Sequence, residues 1–221
     1  MVPARFRKSF RFNPDHVSDK ATQHSYSRQA KEYEQKWKKY LLHTHRAVLK
    51  ELDLSPESSV LDVSAGTGLL QKSLLEKGIP FKEMVLNDIS EGMLGVAKER
   101  FSDDDRFSFT HQYAEQLEFP DQSFDAIICL NAFHNYKEQA RVSEEIYRLL
   151  KPKGTLVILD WNNSGLFRGV NFMIDLFSPE VINSRSANEM SVQLRKNAFE
   201  IEKEREWWFG WWKFYLIKAR K

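Results

Sequence analysis

From residue 59 onward, short and nearly continuous apolar runs alternate with stretches that carry a single apolar face. "SVLDV", "KEMVLND", "FSFTH", "FDAIICL" and "GTLVILD" read as five strands. "LLQKSLLEKG", closed by Gly78, and "SEGMLGVAKERF" read as helices between them. Val142, Ile146, Leu149 and Leu150 share one face of a further helix. Strands this apolar are buried on both sides, so their alternation with helices predicts a parallel sheet between two helical layers.

The flanks follow other rhythms. Tyr26, Ala30, Tyr33, Trp37, Tyr40 and Leu41 recur at spacings of three and four, the stripe of a helix with Ser25 as its expected cap. A second helical stretch through Val48, Leu49 and Leu52 ends at the turn around Pro56. After the fifth strand, residues 161–195 read as a mostly helical insertion, with Leu166, Val170, Met173, Ile174 and Phe177 on one face. "FEIEKEREWWFG" and "WWKFYLIKAR" then pair as an antiparallel hairpin around Gly210. The expected architecture is one α/β domain over 22–221, with a helical cap at 22–54 and an inserted lid at 161–195. Residues 1–21 are expected to form a flexible basic arm.

Composition narrows the class. With 221 residues, 42% hydrophobic and 29% charged, the chain suits one globular domain, and its apolar runs are far short of the roughly 20 residues of a membrane span. A single cysteine, Cys129, excludes a disulfide framework within the chain and fits a reducing, cytoplasmic setting. Residues 1–50 carry a net charge of +8 and the remainder −6. That asymmetry suits an anionic membrane surface, a phosphate-bearing substrate or nucleic acid, and equally a solvated helix face. The opening "MVPARFRKSFRF" lacks the apolar core of a secretory signal. His43 and His45 are two apart on a helix and face different ways, and no other cluster has ligand spacing, so no metal is expected.

The chemistry concentrates in "VLDVSAGTGLL", where a strand becomes a helix through small residues. In open α/β sheets ligands sit beyond the carboxyl ends of the strands, and the first strand–helix turn is the usual contact. Gly66 and Gly68 take side chains out of that turn, and the next helix points its free amides at whatever binds. Asp88, at the end of the second strand, can accept both hydroxyls of a ribose. Asp62 repels a pyrophosphate and suits an ammonium, directly or through water. A nicotinamide dinucleotide is the alternative, but its G-x-G-x-x-G fingerprint fails at Gln71, the third glycine position. The ligand expected is a nucleoside with an anionic or zwitterionic tail.

Four segments in order resemble the class I S-adenosylmethionine-dependent methyltransferases, especially the group of ubiquinone/menaquinone-biosynthesis and small-amine or lipid methyltransferases. "VLDVSAGTG" is similar to the family's acid-and-glycine motif, and "LNDISEGML" to its second-strand acid and the helix after it. "YAEQLEFPDQSFDAIICLNAFH" resembles the segment that flanks adenine and forms the fourth strand. "EEIYRLLKPKGTLVILD" resembles the next helix, turn and strand. The chain departs at Ser64, where the family has its first glycine, and at Tyr113, where an acid often precedes Ala114. It departs again at Lys153–Gly154, where the family has a glycine pair.

The resemblance implies a Rossmann-like, mostly parallel seven-stranded sheet with an antiparallel C-terminal hairpin strand, and S-adenosyl-L-methionine as cofactor. It implies a cofactor loop of Ser64, Ala65, Gly66, Thr67 and Gly68, with Asp62 on the ammonium and Asp88 on the ribose. Ile89 and Met93 follow as cofactor neighbours, and Ala114 and Glu115 flank the adenine. Asn131 offers its backbone carbonyl to the methionine amine, and Tyr33 reaches the cofactor from the N-terminal helix. His134 falls where the family places substrate-facing residues; a catalytic base, an orienting group and a satisfied loop histidine all stay open. Tyr26, His134, Trp208 and Trp211 are the candidate substrate-binding residues, with plain packing open for the aromatic ones. The implied activity is methyl transfer to a small or amphipathic acceptor such as an amine, lipid headgroup or quinol. A methyltransferase-like binding module remains an alternative, as fold alone never fixes function. So does a nucleic-acid methyltransferase, although "LNAFHNY" has no "N-P-P-Y"-like signature and no nucleic-acid partner is expected.

Overall fold

Strand alternation sends neighbouring side chains into two separate layers. Leu61, Ile127, Cys129 and Ile158 pack on one face of the sheet, while Val60, Met84, Ile128 and Val157 pack on the other. The strands are β1 (Ser59–Asp62), β2 (Glu83–Asn87), β3 (Phe107–Thr110), β4 (Phe124–Leu130), β5 (Leu150–Trp161), β6 (Glu200–Phe209) and β7 (Trp212–Arg220). They form one sheet in the order β3-β2-β1-β4-β5-β7-β6. The first five run parallel, and β7 is antiparallel to both β5 and β6. The chain reverses its direction of travel across the sheet between β1 and β4, the position where such sheets open a crevice. A computed structural model describes residues 17–165, 167, 169 and 182–221, and the side chains of these except 17–29 and 31.

The helices are α1 (Val17–Leu49), α2 (Leu69–Glu76), α3 (Glu91–Arg100), α4 (Gln139–Leu149) and α5 (Ala187–Lys196). α4 gives Val142, Ile146 and Leu149 to the first layer, and α5 gives Met190 and Leu194. α1, α2 and α3 cover the other face. Ser90 caps α3 by accepting from the Met93 amide at 3.3 Å, and Ser186 and Glu189 form a reciprocal capping box at α5. Gly68 opens α2 with φ +76, and a Cβ there would lie 2.7 Å from the ring of Phe101, the residue that ends α3. Only glycine lets these two helices approach so closely. No helix among the described residues is long and apolar enough to cross a membrane.

Two local expectations differ from the structure. The two predicted N-terminal helical stretches are one helix, α1, running from Val17 to Leu49 and stopping before Leu52. Thr44 and His45 are fully or almost fully buried on its packed face, so polar residues occupy core positions where the apolar rhythm broke. The turn expected at "KPKG" lies inside β5: Phe124 pairs with Leu150 and Ala126 with Thr155, and the residues between bulge out, with Lys153 at φ +65. The insertion expected at 161–195 contributes α5, while its apolar face at Leu166, Val170, Met173, Ile174 and Phe177 lies outside the described residues.

Candidate active site

A cleft opens at the carboxyl ends of β1, β2 and β4. Its floor is held by buried polar side chains. Asn87, at the end of β2, donates to the Val63 and Gln112 carbonyls at 2.9 and 3.0 Å and accepts from the Thr110 hydroxyl and the Gln112 amide. All its hydrogen-bonding capacity goes into tying three strand ends together. Asp88 follows it, 8% exposed, and accepts from the Gly66 and Ser90 amides at 2.8 Å each. Burial pushes its carboxyl above the usual range, against the pull of those two bonds.

Asp62 closes β1 at the other side of the glycine turn. Gln71 donates to it at 2.6 Å and the Ser64 amide at 3.3 Å. Burial drives its pKa up to about 7, the two hydrogen bonds oppose that, and nearby Asp88 adds to it. The turn itself is anchored from outside: Arg100 donates to the Thr67 carbonyl at 2.6 Å and pairs with Glu34 of α1 at 2.7 Å. α1 thereby becomes one wall of the cleft, contributing Tyr33, Leu41 and His45.

Most residues anticipated from sequence meet here. Tyr33, Asp62, Ser64, Ala65, Gly66 and Thr67 line the cleft, as do Asp88, Ile89, Met93, Ala114, Glu115 and Asn131. Asn131 has the left-handed φ of +54, and its side chain accepts from Tyr40 Oη and donates to Thr44, both at 3.0 Å. Gly68 stands behind the wall, packed on α3. His134 is 4% exposed and sits beside the lining residues Ala132 and Asn135 without lining the cleft itself. The Tyr26 side chain lies outside the described residues.

Neither Trp208 nor Trp211 lines the cleft. Trp207, Phe209, Trp212 and Phe214 share the hairpin face that packs on α1, and alternation turns Trp208 to the opposite face. Trp211, in the turn, is 81% exposed. Their neighbour Trp212 stacks on Trp161 at 4.9 Å. Sequence reading also missed His45, Gln71, Asn87 and Tyr136. Tyr136 lines the cleft, and its hydroxyl lies 2.7 Å from that of Ser64.

Residues 61–158 match the methyltransferase domain family. A demethylmenaquinone methyltransferase of Clavibacter sepedonicus is 30% identical over 69% of this chain and 62% of its own length. That of Thermotoga maritima is 31% identical over 76% of this chain and 79% of its own length. The chain belongs to the class I S-adenosylmethionine-dependent methyltransferases. The chain spans less than two thirds of the Clavibacter relative and more of the Thermotoga one. The phosphoethanolamine N-methyltransferase 2 of Haemonchus contortus, solved with S-adenosylmethionine, has the same fold. It superposes with a TM-score of 0.70 at 18% identity, covering 81% of this chain and 52% of that one.

Beside the cleft this methyltransferase carries an aromatic block. His134 stacks on Trp161 at 4.1 Å, and Trp161 on Trp212. Trp161 Nε1 donates to Tyr40 Oη at 2.8 Å, which links the block to Asn131 and so to the cleft wall. His134 Nδ1 lies 2.6 Å from Asp160 Oδ1, and the His134 backbone amide donates to Oδ2 at 2.8 Å. The Trp161 amide also donates to Asp160 Oδ1, at 2.7 Å. Both oxygens of this buried carboxylate therefore accept hydrogen bonds.

Proposed function

We propose that this methyltransferase binds S-adenosylmethionine in the cleft and methylates a quinol-type aromatic ring. The observation that carries the reading is the pair of buried carboxylates, Asp62 and Asp88, on either side of a turn with room for a ligand. A Cβ at Gly66 would meet no atom within 4 Å, and two buried polar atoms of the lining, His45 Nδ1 and Asn135 Oδ1, have no partner. Such a set fits a nucleoside with a zwitterionic tail. Asp88 keeps a second lone pair on each oxygen for the ribose hydroxyls, Asp62 receives the ammonium, and Ile89, Met93 and Ala114 bound the adenine.

The bound cofactor supplies an electrophilic methyl group on a sulfonium. The chain must hold the acceptor in line, exclude water and take up the proton that leaves the acceptor. With its Nδ1 proton donated to Asp160, His134 presents Nε2 as the proton acceptor. The relatives named as demethylmenaquinone methyltransferases support that acceptor class. Incubation with methyl-labelled cofactor and a panel of quinols, amines, phospholipids and small acids tests the reading. Label is expected in a quinol. Label confined to another class overturns the acceptor, and tight cofactor binding without transfer to any of them overturns the enzyme in favour of a binding module.

The Asp62 carboxyl gives this reading a pH signature. Its protonated form cannot pair with an ammonium, so cofactor affinity is expected to fall about tenfold per unit as pH drops below about 7. Affinity falls again above about pH 8, where an α-amino group loses its own proton. Calorimetry of S-adenosylhomocysteine binding between those limits should show the maximum. Asp62→Asn removes the acid limb, and an unchanged acid limb in that variant sinks the assignment.

A further inference from the structure

Among the described residues, the exposed large hydrophobic side chains are Leu42, Val192, Trp208 and Trp211, and the two tryptophans flank Gly210 at the hairpin turn. Trp211 is 81% exposed and Trp208 51%. A single apolar residue in water needs no explanation, but two indoles on one protruding turn do. An indole, apolar in its body and polar at its N–H, suits the boundary between a bilayer's headgroups and its hydrocarbon.

The charge beside that tip is positive. α1 packs against the hairpin, with Trp37 at 6.3 Å from Trp212 and the His43 ring stacked on Phe209 at 3.9 Å. From Gln35 to Lys50 this helix has five Lys and Arg residues and no Asp or Glu. Lys38, Lys39 and Arg46 are exposed, and so is Leu42, one helical turn from both Lys38 and Arg46. On the hairpin, Arg205 lies over the Trp207 ring at 5.0 Å. Burial holds the His43 pKa below its usual value, and Arg205 and Arg46 lower it further, so both cations stand near that ring. Glu206, the acid of β6 next to the tip in sequence, is paired with Lys213 at 2.9 Å.

The tip also projects from the edge of the sheet that carries the site. Phe214 pairs with Trp161 at the carboxyl end of β5, so the turn between β6 and β7 extends past the edge where the cleft opens. Trp212, next to the turn, stacks on Trp161, and Trp161 on His134.

We propose that Trp208 and Trp211, with the basic face of α1 beside them, dock the protein on an anionic lipid bilayer. Indoles enter the interface and the cations meet the headgroups, which sets the cleft edge of the sheet against the membrane. The purpose of this contact rests on the reading of the acceptor as a quinol, since a ring with an apolar tail partitions into the bilayer. The contact itself does not need that reading.

Sedimentation of the full chain with vesicles, without cofactor or acceptor, tests the proposal. Binding is expected on mixed phosphatidylglycerol and phosphatidylcholine vesicles. It should weaken about tenfold on phosphatidylcholine alone, and similarly in about 0.5 M salt. Trp211→Ser should weaken it several-fold and leave thermal melting unchanged, because its ring is exposed. Adding Trp208→Ser should bring the loss to about tenfold or more, and Lys38→Glu with Lys39→Glu should cost as much. No vesicle binding by the unaltered chain overturns the proposal. So does binding that survives both tryptophan substitutions, which would put the anchor in residues 1–21. Preference for a single-stranded oligonucleotide over the vesicles overturns it as well and makes the basic face a nucleic-acid site. Calorimetry with S-adenosylhomocysteine on the same samples keeps the readings apart: vesicle binding without cofactor binding sinks the reading of the cleft and leaves the membrane contact standing.

Discussion

Replacing Asp88 by alanine is expected to weaken S-adenosylhomocysteine binding about a hundredfold or more, since each hydrogen bond to a charged acceptor contributes about 1.5–3 kcal/mol. Two bonds to a ribose would go. So would the brace, because the Gly66 and Ser90 amides both bond the same carboxylate at 2.8 Å. The variant should therefore also melt at lower temperature, with the glycine turn and the start of α3 loosened together. Asp88→Asn keeps an oxygen for only one of the two amides and turns its NH₂ toward the other, because Gly66 bonds Oδ2 and Ser90 bonds Oδ1. It should therefore lower the melting temperature as well as the affinity. If alanine lowers the melting temperature and leaves the affinity intact, Asp88 is a brace and no ribose contact.

Much of this site could be read from sequence because its chemistry sits at strand ends. Five apolar runs bounded by turn residues give the parallel strands, and once the strands are placed, Asp62, Gly66 and Asp88 fall at one edge of the sheet. What stayed hidden depends on contacts between distant segments. Gln71 breaks a dinucleotide fingerprint in sequence, yet only the fold turns its side chain back onto Asp62. Tyr136 reaches Ser64 across 72 residues, and Trp161 reaches Tyr40 across 121. Thr44 and His45 interrupt the apolar stripe of α1, so the sequence pattern breaks in two where the helix is continuous. They are polar on a buried face since one bonds its own helix and Asn131, and the other faces the cleft. The four tryptophans around Gly210 looked alike, and strand alternation sorted them: Trp207 and Trp212 inward, Trp208 to the other face and Trp211 into the open turn.

His134→Ala is expected to lower kcat about 10²- to 10⁴-fold, the usual contribution of a positioned general base, with cofactor affinity unchanged. The affinity should hold because His134 does not line the cleft. Asp160→Asn should cost nearly as much for a different reason. Its amide must keep one oxygen for the His134 backbone amide, so its NH₂ replaces Oδ1, which faces His134 Nδ1 and the Trp161 amide. Two donors then meet, and the ring escapes only by moving its proton to Nε2, which leaves no lone pair for the acceptor's proton. Nitrogen-15 spectra of the imidazole report that change without any acceptor present: the Nδ1–H form in the unaltered protein and the Nε2–H form in the asparagine variant. A structural histidine would behave otherwise. Its loss would lower stability and leave kcat alone, and an Nε2–H ring in the unaltered protein would remove the proton acceptor altogether. Read with the acceptor panel, the two measurements separate a wrong substrate from a wrong base, because the tautomer depends only on the contact between His134 and Asp160.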